Sequence, residues 1–134
     1  MRKPTSLVAF LGIAGSAALA AALAACSEDG PGEDELLSDA ARRGKQVYIN
    51  CIACHGADPT RDGPVGPAIA GASRELIEAR VLRGEYPSGY SPKRDTAQMP
   101  PMPYLAPRID DLAAYLREVA EARAQASRKR ASRR

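Results

Sequence analysis

Two cysteines separated by two residues and followed at once by the only histidine, Cys51-Ile52-Ala53-Cys54-His55, constrain this 134-residue chain more than any other feature. Residues three apart on a helical turn share a side, so both sulfurs and the imidazole can reach a single body. Three simpler chemistries use only part of the pattern. A thioredoxin-like redox pair needs a preceding strand and a βαβ setting, whereas the residues ahead of Cys51 have helical spacing. A structural zinc site needs four ligands, and the chain offers no second pair of Cys or His. A disulfide between Cys51 and Cys54 suits an oxidising compartment, but it closes a very short loop and leaves His55 without a purpose.

The reading that employs all three residues is covalent attachment of c-type haem, whose signature this spacing is. Cys51 and Cys54 then form thioethers to one edge of the porphyrin, and His55 supplies the proximal nitrogen to iron. Composition agrees. The chain has one Phe, no Trp and five Tyr, and a small domain short of large apolar side chains usually needs a cofactor, metal or disulfide to complete its interior.

Periodicity predicts helices around this motif. Ser73 is a plausible N-cap for a helix from Glu75 to Gly84 that carries Leu76, Ile77, Ala79, Val81 and Leu82. Ile109, Leu112, Ala113, Leu116, Val119 and Ala120 recur at helical spacing and mark a last helix beginning near Pro107 to Ile109.

From about Leu36 to Ala122 the chain resembles the class I cytochrome c family. Ala40, Ala41, Gly44, Val47 and Tyr48 are similar to that family's first helix, Gly56 completes the Cys-x-x-Cys-His-Gly form, and Gly63 to Gly71 resembles its Gly-Pro loop. The resemblance implies an all-α class I cytochrome c fold, three to five helices around one covalent haem c. It implies a close crossing of Gly44 with the last helix near Tyr115, and a hydrogen bond from the second nitrogen of His55 to the Pro67 carbonyl. It also implies a distal Met, for which Met99 is the first choice and Met102 the runner-up. Arg80, Arg83, Tyr86, Tyr90 and Lys93 are candidates to bind the haem carboxylates, and the sequence does not choose among them.

The ends of the chain read differently. Arg2 and Lys3 precede an uncharged run from Leu7 to Ala25, the layout of a secretory signal over 1–25, and Leu23-Ala24-Ala25-Cys26 resembles a bacterial lipobox with Cys26 as the lipidated residue. An uncleaved spanning helix is the alternative. Residues 26–35 form an acidic, Gly- and Pro-containing linker, 36–122 the cytochrome domain, and 123–134 a basic tail that either extends the last helix or stays unfolded. From Cys26 to Ala122 there are eleven basic against sixteen acidic residues, whereas six basic residues and no acid follow.

These features predict a one-electron carrier, not an enzyme, held by an N-terminal lipid at the periplasmic side of a bacterial envelope. Its partners are redox proteins and the membrane, with no nucleic acid and no small-molecule substrate. A haem c subunit of a larger dehydrogenase or oxidase is the alternative. An enzyme or sensor with an open iron is a third reading, against which the single haem motif argues.

Overall fold

The computed structural model describes residues 35–94 and 99–134. The signal segment, Cys26, the linker up to residue 34, and the four residues before Met99 lie outside the described residues.

The Ser38 hydroxyl accepts the Ala41 N–H at 3.2 Å and opens helix α1 (Asp39–Tyr48), satisfying one donor that a helix start leaves free. Its apolar stripe buries Ala41, Val47 and Tyr48. The chain turns directly into α2 (Ile52–His55), a single turn whose entry is tied by the Cys51 N–H to the Tyr48 carbonyl at 2.8 Å. Gly56, at φ +77°, ends it, a conformation that side-chain-bearing residues rarely adopt.

Ser73 caps α3 (Arg74–Glu78) by accepting the Leu76 N–H at 3.2 Å, as its position in the sequence suggests. The helix does not continue to Gly84 as an α-helix. Residues Ala79–Arg83 form a π-turn, closed by Glu85 N–H on the Ala79 carbonyl at 3.1 Å and by Gly84 at φ +72°. The wider turn lets three consecutive residues, Ala79, Arg80 and Val81, lie buried together, which ordinary α spacing does not permit on one face.

A 3₁₀ segment over Pro103–Arg108 leads into α4 (Ile109–Ala131), 23 residues long. Helix α4 crosses α1 where Gly44 meets Asp111 and Tyr115. Around that crossing the Tyr48 and Tyr115 rings stand 5.4 Å apart between centroids, and Asp111 accepts from Arg43 at 2.8 Å and from Arg108 at 3.0 Å. Tyr48, Leu112 and Leu116 are the largest fully buried side chains. No strand occurs among the described residues, and the fold is all-α as expected. The basic tail is not separate from the last helix: α4 runs through it to Ala131.

Candidate functional site

An open cleft lies between α2, the loop after it, the π-turn and the first half of α4. Cys51, Cys54, His55, Pro67, Met99 and Met102 all line it. Of the residues predicted for the site, Arg83 is not brought here, and Cys26 falls outside the described residues.

Helix α2 sets the first three. His55 N–H bonds the Cys51 carbonyl at 2.9 Å, so Cys51 and His55 are held one turn apart. Cys51 is buried and Cys54 exposed. Burial, reinforced by the neighbouring Cys54, pushes the Cys51 thiol up to about 11. An uncharged sulfur is therefore what this position accepts, and a thioether, having no proton to lose, meets that requirement at every pH.

The loop after α2 folds back on the motif. The Val65 and Gly66 N–H groups both donate to the Cys54 carbonyl, at 3.1 and 2.8 Å. His55, 8 % exposed, has its Nδ1 2.8 Å from the Pro67 carbonyl. A carbonyl can only accept, so Nδ1 carries the proton and Nε2 keeps its lone pair. Among the described residues Nε2 has no partner. Gly66 makes this approach possible, since a Cβ there would stand 2.5 to 2.9 Å from three atoms of the imidazole ring. Sequence reading passed over Gly66 because only the folded loop brings it against the ring.

Asp62 and Arg94 were also missed. Asp62 accepts the Ala68 N–H at 2.8 Å and pairs with Arg94 at 3.0 Å, while Arg94 donates to the Val65 carbonyl and Lys93 to the Ala68 carbonyl. Two cations near the end of the segment between the π-turn and Met99 thus fasten the loop that holds His55. These bonds, the one to the Ala68 N–H foremost, keep the Asp62 carboxyl below the usual Asp range. A folded pKa that is lowered contributes stability above the unfolded value of about 4, and that stability is lost as pH falls through the folded value. Asp62→Asn is accordingly expected to lower the melting temperature at pH 7, with the difference from the parent shrinking as pH falls through the folded value of Asp62. Thermal melts at pH 7 and in acid check this, and a difference that persists in acid contradicts it.

Among the candidates for binding carboxylates, Arg83 is engaged elsewhere, with Glu85 at 3.2 Å and Glu78 at 3.7 Å, and it does not line the cleft. Arg80 does, at 8 % exposure. Its partners are the Gly84 carbonyl and the Tyr86 ring, 4.2 Å from the guanidinium carbon, and Tyr86 in turn stacks on Tyr90 at 5.4 Å. No carboxylate among the described residues pairs with Arg80.

The residues present fit a covalent haem. Two sulfurs and an imidazole with a free nitrogen open on one cleft, its lining also carries thioethers and aliphatic side chains such as Leu112 and Leu116, and a buried cation waits without an anion. Residues 41–120, more than half of the chain, match the family model for cytochrome c. No curated protein and no solved structure matches the chain. Motif, cleft and match coincide over the same stretch, and this protein therefore belongs to the cytochrome c family, whose members carry covalent haem c and transfer electrons.

Proposed function

We propose that this chain is a monohaem class I cytochrome, anchored by lipid at Cys26 to the outer face of a bacterial membrane, that passes single electrons between respiratory proteins. The observation that carries the electron-transfer reading is the arrangement at His55, with Nδ1 committed to Pro67 and Nε2 open to a cleft that also holds both methionines. Cys51 and Cys54 would hold the haem by thioethers, and His55 would ligate its iron through Nε2. The haem, when bound, supplies an iron that alternates between Fe(III) and Fe(II).

The chain's own groups do the rest. Pro67 fixes the imidazole tautomer and strengthens it as a donor. The aliphatic wall excludes water, which limits reorganisation when the charge changes. Arg80 offers its guanidinium to a haem carboxylate, replacing the anion it lacks in the polypeptide. A methionine thioether from the segment after Arg94 would ligate the iron, leave it no position for substrates and raise its potential, which is what separates a carrier from an open-site enzyme.

Met99 is the proposed distal ligand. Both methionines are half-buried against the core, but the Met102 backbone is already committed, its N–H donating to the Val81 carbonyl at 2.6 Å. Met102 thereby ties the segment to the π-turn, and Met99 stands three residues ahead of that tie. Replacing each by Ala tests this. Met99→Ala is expected to abolish the far-red band that a thioether gives ferric haem and to lower the reduction potential, while Met102→Ala keeps the band. The opposite result transfers the role to Met102, retention of the band in both means that each can replace the other, and a parent protein without the band excludes methionine as the ligand.

A further inference from the structure

We infer that the C-terminal end of α4 is a second membrane contact, a cationic helix that rests on anionic phospholipid headgroups. For its proximity to a membrane the inference rests on the anchoring proposed above. For the recognition chemistry it rests on the helix itself.

Helix α4 belongs to the body only in its first half. Gly71 N–H bonds the Leu116 carbonyl at 2.9 Å, and Ala120 lies against Gly71. Every residue from Glu121 to Arg134 is exposed, yet the helix continues to Ala131. Local physics sustains it there: Ala, Gln, Arg and Lys are strong helix formers, and Arg128, Lys129 and Arg130 in the last turn complement the helix dipole. The ten residues from Ala122 to Ala131 project about 15 Å.

What this projection carries narrows its partner. Arg123, Arg128, Lys129, Arg130, Arg133 and Arg134 are its only charged residues after Glu121. No aromatic or large aliphatic residue follows Val119 in this stretch, so it has neither the aromatic anchors common at protein interfaces nor an apolar face to insert into a bilayer. At 100° per residue, Arg123, Lys129 and Arg130 fall in one sector of about 120° together with Ala122 and Ala126, and Glu121 falls outside it. A smooth cationic stripe without specific anchors suits a broad, negatively charged surface, where no register is needed.

The ends of the chain are placed for this. The Ser38 N–H and hydroxyl both donate to Glu118, at 2.9 and 2.7 Å. The start of α1 is therefore fastened to the part of α4 from which the basic stretch departs. Cys26 is twelve residues upstream of Ser38, a span of at most about 40 Å. The chain that would carry the lipid thus joins the domain at Ser38, beside the point from which the cationic helix departs, and a contact by that helix would restrict how the leashed domain turns.

The test uses the haem-loaded full chain carrying a nitroxide on Ala126→Cys, with vesicles doped with a nickel-chelating lipid that broadens nearby nitroxides. Neutral phosphatidylcholine vesicles offer the cations nothing, so flotation with them reports the N-terminal anchor alone. Broadening is expected in phosphatidylglycerol-containing vesicles. It is expected to vanish at high salt, and also when the six basic residues are all changed to Gln with the haem spectrum unchanged. If three cations reach headgroups, anionic vesicles should be preferred by on the order of a hundredfold at low salt. A chain that ignores neutral vesicles but binds anionic ones through the six cations removes the lipid anchor and supports the helix contact. Equal broadening in both vesicle types overturns the inference. So does its absence in anionic vesicles, and retention of the helix by polyglutamate in that case would assign the stripe to an acidic protein.

Discussion

A chain with Cys51 and Cys54 both changed to Ala is expected to emerge without covalent haem and to lose most of its helical circular dichroism at room temperature. The physical reason lies in what surrounds the cleft. Ile77, Val81, Leu112 and Leu116 all line it, so without a filling body this part of the core borders an unfilled space and lacks packing partners on that side. The polypeptide has little else to offer, since only Tyr48 joins Leu112 and Leu116 among large side chains that are fully buried. Helices of the length of α1 and α3 are not stable alone in water. The single change Cys54→Ala should have a smaller effect, because Cys51, the buried sulfur, still holds one thioether. Far-ultraviolet circular dichroism and thermal melts of the three chains check the ranking. A doubly substituted chain that melted cooperatively near the parent temperature would show that the polypeptide closes its own interior.

Gly44→Ala is expected to cost about 3 kcal/mol, or roughly 15 °C in melting temperature for a domain of this size. A Cβ at this position would stand 1.9 Å from the Asp111 carbonyl oxygen and 2.8 Å from the Tyr115 Cβ. The nearest obstacle is backbone, which cannot rotate away as a flexible side chain could. Helices α1 and α4 must separate, and the separation stretches what is built on the crossing: the Tyr48–Tyr115 pair, worth about 1 kcal/mol beyond its buried area, and the Arg43 and Arg108 bonds to Asp111. Gly44→Val should be worse, because two further methyl groups enter the same contact. A melting temperature within a few degrees of the parent would mean that the helices do not cross here.

Much of this crossing was legible beforehand, for a local reason. Gly44 four residues ahead of Tyr48, with Tyr115 set in a regular apolar repeat, names both sides of a close contact once the resemblance supplies their pairing. Ser73 was legible too, because capping depends on three neighbouring residues. The cysteine–histidine motif was the clearest, as its meaning is carried by spacing alone. By contrast, the π-turn at Ala79–Arg83 follows from burying three successive residues against a cleft, a demand made by distant parts of the chain. Gly66 looked like any loop glycine until His55 was set against it. Asp62 and Arg94 are 32 residues apart and nothing in their local sequence couples them. Met99 and Met102 share a Pro-rich stretch in which helical or strand periodicity is absent, and their ranking therefore rested on the resemblance alone, which favours the Met-Pro farther from the last helix. The structure brings both to the cleft.

The most direct test of the account is the intact mass of the protein matured in a cell that ligates haem, read together with the visible spectrum of the same sample after acid–acetone extraction. The account predicts a gain of one haem, colour that stays with the polypeptide after extraction, and loss of both in the chain lacking Cys51 and Cys54. Polypeptide of unaltered mass that is colourless and yet folded would contradict it, because Cys51, Cys54 and His55 would then surround nothing.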